Sequence, residues 1–234
     1  MPEKPPLQHI AFILDGNRRW AAREGLSSLE GHKAGYKNLK VIAQACFDKG
    51  IKYFSCYLFS NENWQRSQEE VGYLMNLALR VVLKDAKELN SKNVRLKIIG
   101  SRLGLDKKLL QAIEKAEELT ASNTAGTLVA CFNYGGQQEI VEATKSIVSS
   151  GLPAEEITEE TIKSHLYSKD VPAPDLIIRT SGEQRLSNFL LWDSAYAELF
   201  FVKKYWPEFS PSDLDVVLKD YYTCVRRYRC ICSR

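Results

Sequence analysis

Arginines, hydroxyls and amides gather at the ends of three apolar runs in this chain, and their types and spacing suit the holding of phosphate. The fullest run is His9-Ile10-Ala11-Phe12-Ile13-Leu14-Asp15-Gly16-Asn17-Arg18-Arg19-Trp20. Five apolar residues end abruptly in an acid, a glycine, an amide and two arginines. Asp-Gly-Asn is turn chemistry, and a helix-compatible stretch follows from Arg19 to Glu24. A turn leading from a strand into a helix presents free backbone N–H groups and a positive dipole end, and arginine adds a fork that matches phosphate oxygens. A lone carboxylate among such donors needs a reason. A Mg2+ ion bridging Asp15 to a diphosphate supplies one.

The second run ends in Phe59-Ser60-Asn61-Glu62-Asn63-Trp64-Gln65-Arg66, with a hydroxyl, amides and an arginine. The same residues also suit an Asx turn and helix cap, and Ser67 with Glu70 has capping-box spacing. The third is Arg179-Thr180-Ser181-Gly182-Glu183-Gln184-Arg185-Leu186-Ser187-Asn188. It reads as a second phosphate cradle or as a solvated loop. Single residues say less. His32, beside Gly31 near a helix start, suits a capping or structural role, and His9 and His165 have no constellation around them. Glu198 lies inside the apolar stretch Ala195–Phe201, where a carboxylate needs a partner arginine or a shared Mg2+.

These runs must be positioned by the elements around them. Strands are expected at 9–14, 53–59, 94–99, 127–133, 175–179 and 197–202. Helices are expected near 33–48, 68–90, 106–122, 136–149, 158–167 and 211–228. Strand and helix in alternation argue for an α/β fold, a mostly parallel central sheet of about six strands flanked by helices, in a single domain over 1–234. Residues 1–8 read as a flexible tail. The helix near 70–83 is apolar on nearly every side, more than one buried face requires. Either packing or a partner subunit covers it, or one face meets the sheet while another lines an oily cleft.

Composition sets outer limits. The 234 residues are 44% hydrophobic with net charge +3, enough for a sizeable core and too little charge to argue for nucleic acid. No apolar run reaches the ~18 residues of a membrane span. The six scattered cysteines read as reduced thiols of a cytoplasmic protein, with Cys230-x-Cys232 a weak metal candidate. There is no GxxxxGK[ST] loop, no GxGxxG after a strand and no aspartate-rich DDxxD run, which disfavours NTPases, dinucleotide enzymes and helical trans-prenyltransferases.

The motifs taken together resemble the cis-prenyltransferases, typified by undecaprenyl diphosphate synthase, from His9 to about Arg229. They occur in family order: the His9–Ala21 run, Gly31-His32-Lys33-Ala34-Gly35, Tyr57–Trp64, Asn133-Tyr134-Gly135-Gly136, Arg179–Trp192, Ala195-Tyr196-Ala197-Glu198-Leu199 and Trp206-Pro207. The resemblance implies sequential condensation of isopentenyl diphosphate onto an allylic diphosphate, usually farnesyl diphosphate, giving a long cis-polyprenyl diphosphate. It implies Mg2+ as cofactor, with Asp15 as the metal carboxylate and Glu198 helping to organise the metal or the second site. Gly16, Asn17, Arg18, Arg19, Trp20, His32 and Arg66 would surround the allylic diphosphate. Arg179, Arg185 and Ser187 would hold isopentenyl diphosphate, with Ser60, Asn63 and Trp64 near the reacting carbons. A homodimer with a hydrophobic tunnel, and peripheral membrane contact as product leaves, are implied as well. A short or branched product, or a non-catalytic subunit of a heteromeric synthase, are the alternatives.

The chain departs from the family pattern in several places. Leu26–Glu30 lacks an arginine that often precedes the Gly-His pair, leaving Arg23 as a substitute. Gln184 stands where histidine is common, and Leu58 where many members have alanine, so the tunnel would be shorter. The stretch 226–230 lacks a glycine that some members use in the partner's site.

Overall fold

The computed structural model describes residues 6–223. Six strands form one wholly parallel sheet: β1 (His9–Ile13), β2 (Tyr53–Ser60), β3 (Val94–Ile99), β4 (Gly126–Tyr134), β5 (Leu176–Arg179) and β6 (Glu198–Phe201), in the order β3-β4-β2-β1-β5-β6. Every expected strand is present, with ends within a residue or so. β1 is buried along its whole length, as a strand covered on both faces must be, which is why it reads as an unbroken apolar run. β1 has β2 on one side and β5 on the other, so the winding direction reverses there, and the crevice beyond the carboxyl ends of these strands is where such sheets bind ligands.

Among the described residues seven helices cover the sheet: α1 (Asn17–Arg23), α2 (Ser28–Asp48), α3 (Gln68–Ser91), α4 (Lys107–Thr120), α5 (Gly136–Ser150), α6 (Glu159–His165) and α7 (Pro211–Thr223). α2 starts five residues before the expected 33. Ser27 caps it, its hydroxyl accepting from Glu30 N–H while the Glu30 carboxylate accepts from Ser27 N–H (2.9 Å), a signal the sequence carried in full. The expected end of α7 at 228 and the Cys230-x-Cys232 pair lie outside the described residues. The anticipated flexible tail does not extend over Leu7 and Gln8. Leu7 is buried, Gln8 N–H donates to Asp175 Oδ2 (2.9 Å), and the Gln8 carbonyl accepts from Lys52 and Tyr53.

α3 has two working faces. Val71, Leu74, Met75, Ala78 and Leu79 pack on the apolar cluster of β2, β3, β4 and α4, while Leu74, Leu77, Ala78 and Val81 also line a cavity. The many apolar positions are divided between sheet and cleft. Among the described residues no helix is long and apolar enough to cross a membrane.

His9 proves to be structural. It is buried at the start of β1, its Nδ1–H donating to the Pro172 carbonyl (2.7 Å) and its Nε2 accepting from the Ser55 hydroxyl (2.7 Å). Burial pushes its pKa down to about 4, against the opposing pull of the Pro172 bond and Asp175. Between pH 6.5 and 4 the unfolded chain therefore binds a proton that the folded chain refuses, and stability falls as pH drops through this window. Over the whole window the loss is on the order of 3 kcal/mol. His9→Gln is expected to flatten that part of the stability curve, measured by urea unfolding at pH 4.5, 5.5 and 6.5. An unchanged slope would refute the assignment.

Candidate active site

Asp15 stands just past the carboxyl end of β1, and its backbone is fixed from two sides. Trp206 N–H (3.0 Å) and the Thr180 hydroxyl (2.7 Å) both donate to the Asp15 carbonyl. Trp206 is fully buried, with its indole N–H on the Gly35 carbonyl (2.8 Å) and its ring stacked on Phe209. The carboxylate is left to two guanidinium groups: Arg179 Nη2 at 2.8 Å on Oδ2 and Arg19 Nη2 at 3.1 Å on Oδ1. Arg179 is buried at the end of β5 and is held further by the Ser187 hydroxyl (2.7 Å) and the Arg185 carbonyl (2.6 Å).

Two polar cavities meet at Asp15. One is lined by Asp15, Gly16, Asn17, Arg18, Arg19, His32 and Arg66. The other is lined by Asp15, Ser60, Glu62, Asn63, Arg66, Arg179, Ser187 and Asn188. An apolar cavity adjoins both, sharing Asn17 and His32 with the first and Tyr57 and Asn63 with the second. A deeper apolar cavity continues it between α2, α3 and the sheet, and Leu39, Leu58, Ala78, Val81 and Phe132 line both apolar spaces. The Gly31–Gly35 motif makes this corner possible. A Cβ at Gly35 would fall 2.2 Å from Asn17 Oδ1, and one at Gly31 would fall 2.3 Å from the Asn17 carbonyl. Only glycine lets α2 lie this close to the start of α1.

Glu70 is the residue that motif reading missed. Its carboxylate accepts from Arg66 Nη1 (2.9 Å) and from His32 Nε2–H (3.2 Å), with Arg18 Nη1 at 3.9 Å. Burial would raise its pKa, but the His32 bond and the charges of Arg66 and Arg18 more than offset this and hold it below the usual carboxylate range. Burial, with the nearby Arg66 and Arg18 charges, lowers the His32 pKa, so the imidazole is neutral near pH 7. The expected capping box is only half formed. Ser67 accepts from Glu70 N–H (3.3 Å), but the Glu70 side chain turns to the cations instead. The Arg66–Glu70 spacing of four was the available clue. Glu183 plays the same part elsewhere, pairing with Arg19 (3.0 Å) and Arg185 (2.6 Å).

Several expected residues are not brought to these cavities. Trp20 lines none of them. Trp64 lines none either. Its indole N–H is spent on Asn133 Oδ1 (2.7 Å) and its ring stands edge-on to Phe59. The Arg185 guanidinium is exposed beside Glu183, and only its carbonyl serves the site, by accepting from Arg179. Arg23 is taken by Glu24 and Glu208 and does not replace the missing arginine before Gly31. Glu198 opens β6 opposite Leu176, whereas Arg179, beside Asp15, pairs with Phe201. That puts Glu198 about 10 Å back along the strand, and within one chain it cannot share an ion with Asp15. Among the described residues no group of three or more His, Cys, Asp or Glu side chains converges. One carboxylate amid guanidinium groups of the type that holds phosphate still fits Mg2+, which is commonly held by one or two protein carboxylates together with substrate phosphates and water.

Two arginine-bearing polar cavities that meet at Asp15, with an apolar cavity adjoining both, suit a transferase that handles diphosphate esters of apolar chains. Comparison with known proteins agrees. The profile of the prenyltransferase family described as "Putative undecaprenyl diphosphate synthase" matches residues 13–229, and the chain belongs to that family of enzymes. Isoprenyl transferases from Agrobacterium fabrum and Thermotoga maritima are 46% and 45% identical to it, each over 94% of this chain and over 91% and 96% of the relative. Among solved structures, lavandulyl diphosphate synthase from Lavandula x intermedia, in complex with dimethylallyl diphosphate, is similar with a TM-score of 0.89. It is 35% identical, with 94% of this chain and 97% of that one covered. A "probable undecaprenyl diphosphate synthase" from Campylobacter jejuni gives 0.81 at 28% identity, covering 95% and 98%.

Proposed function

We propose that the enzyme condenses isopentenyl diphosphate repeatedly onto an allylic diphosphate, farnesyl diphosphate being the fitting primer, with Mg2+ at Asp15. The observation that carries this reading is the pair of arginine-bearing polar cavities meeting at Asp15 beside an apolar channel. The cavity of Asn17, Arg18, Arg19, His32 and Arg66 takes the allylic diphosphate. The cavity of Arg179 and Ser187 takes isopentenyl diphosphate, with Ser60 and Asn63 between the two. A bound Mg2+ neutralises charge developing on the departing diphosphate. The arginines stabilise the same charge, and the apolar walls keep water from the electron-poor allylic carbon. The growing chain runs into the channel beneath α3. Other parts of this reading are a homodimer in the cytoplasm and peripheral membrane contact as product leaves.

Leu58 favours a second reading, a shorter product. It lines both the mouth and the deep cavity, and the similar structure is of a lavandulyl diphosphate synthase in complex with dimethylallyl diphosphate. Mass spectrometry of product from farnesyl and isopentenyl diphosphates with Mg2+ tests both. Leu58→Ala is expected to lengthen the product by about one or two five-carbon units, because a packed channel wall registers the loss of three carbons. An unchanged distribution would remove Leu58 as a determinant, and no condensation at all would remove the proposed reaction.

A further inference from the structure

The motif Asn133-Tyr134-Gly135-Gly136 lies at the end of β4 and supplies no side chain to the two polar cavities. It is nevertheless where two substrate-bearing segments are fastened. Trp64 of the 60–66 segment donates to Asn133 Oδ1 (2.7 Å), and Asn133 in turn donates to the carbonyls of Ser101 (2.8 Å) and Leu103 (3.0 Å). From the other side comes Asn188 of the 179–190 loop. Gly136 N–H donates to its carbonyl (2.8 Å), Gln137 N–H donates to its Oδ1 (2.8 Å), and its own Nδ2 donates to Glu62 Oε1 (3.0 Å). Gly135 lies between these groups. A Cβ there would fall 2.6 Å from Asn61 Nδ2 and 2.9 Å from Asn188 Nδ2.

We propose that Asn188 is a positioning residue for the condensation, a pin that sets the Ser60–Asn63 segment against the Arg179–Ser187 loop. The inference rests on the proposed reaction and deepens it. Both substrates must meet within reacting distance, and each is held by a different segment. Asn188 joins those segments directly, and it spends all its side-chain polar atoms on that bridge and on the start of α5. Its backbone is left-handed (φ 67°), a conformation asparagine tolerates better than other side chains. Its neighbours Ser187 (φ 49°) and Leu190 (φ 43°) share it, so this part of the loop is bent against its own preference. Such bends persist where surrounding bonds over-determine them.

The test separates the side chain from the backbone. Asn188→Gly keeps the left-handed turn and removes both side-chain bonds. Asn188→Asp keeps an acceptor for Gln137 N–H but sets two carboxylates face to face at Glu62. Each is expected to lower kcat by about 10- to 100-fold, the scale of a misplacement of about 1 Å, with KM for the allylic diphosphate within about threefold. The swapped pair Asn188→Asp with Glu62→Gln restores a donor and an acceptor in reversed order, and is expected to regain most of the loss. A merely structural role would not give this split or this rescue. Amide hydrogen exchange supplies a readout that does not depend on turnover. Residues 60–66 should lose protection in Asn188→Asp and recover it in the swapped pair. Unchanged kcat in Asn188→Gly, a swapped pair no better than Asn188→Asp, or unaltered exchange over 60–66 would each overturn the proposal. Absence of any condensation by the wild type, with the exchange pattern as expected, would instead count against the reaction and leave the pin standing.

Discussion

Asp15→Asn is expected to lower kcat by at least about 10³-fold while leaving affinity for farnesyl diphosphate within about tenfold. The substitution is nearly isosteric, and what holds this turn in place is backbone. The Trp206 N–H and Thr180 hydroxyl bonds to the Asp15 carbonyl are untouched, so the fold should survive. What disappears is the negative charge shared by Arg19 and Arg179. Two effects then oppose each other. The cradle becomes more cationic, which favours binding of a diphosphate. The oxygen able to anchor Mg2+ against that diphosphate is replaced by a poorer ligand, which disfavours its departure as leaving group. The first acts on the ground state and the second on the transition state, so kcat should fall while binding holds. Steady-state kinetics with direct binding of the allylic substrate decides it. Turnover within tenfold of the wild type would mean that Asp15 anchors no metal.

Arg179→Lys should be the next most damaging change. Arg179 is buried and uses its fork three ways, to Asp15, to Ser187 and to the Arg185 carbonyl. Its Nε is buried with no hydrogen-bond partner among the described residues. Lysine brings a point charge that cannot hold this geometry. At 1.5–3 kcal/mol for each charged hydrogen bond, with one or more retained, a stability loss of about 2–4 kcal/mol is expected. In the assay, kcat/KM for isopentenyl diphosphate should fall by about 10²- to 10³-fold, well beyond the change in KM for the allylic substrate. Arg185→Ala serves as the control, since its exposed side chain leaves the carbonyl contact with Arg179 intact and should cost far less. Equal losses in the two variants would show that the Arg185 guanidinium serves the site as well, and a larger loss on the allylic side would show that the two cradles have been exchanged.

Much of the site was readable because its determinants are local. A strand covered on both faces writes itself as a run such as Ile10–Leu14, and the abrupt change to Asp15-Gly16-Asn17 marks its carboxyl end without reference to any other part of the chain. The same holds for Ser60 to Arg66 and for Arg179 to Ser187, which come together because β1, β2 and β5 are parallel neighbours whose carboxyl ends lie on the same side of the sheet. Helix caps are also local, and Ser27 with Glu30 shows that the early start of α2 could have been read.

Partner choice across the fold was not readable. Glu70 has the spacing of a cap and becomes the hydrogen-bond acceptor of His32, 38 residues away, because α2 and α3 meet at that level. Arg185, Arg23, Trp20 and Trp64 are of the right types in the right motifs, yet packing turns them toward Glu183, Glu208 and Asn133 or away from the cavities. The position of Glu198 depends on the register of β6 against β5, which no short stretch of sequence encodes. By itself the sequence determined the order of strands and helices, the three polar turns and the membership of the family. Only the tertiary structure decided which charges face one another across the fold, because an ion pair depends on distance in space and halves such as Asp15 and Arg179 lie far apart along the chain.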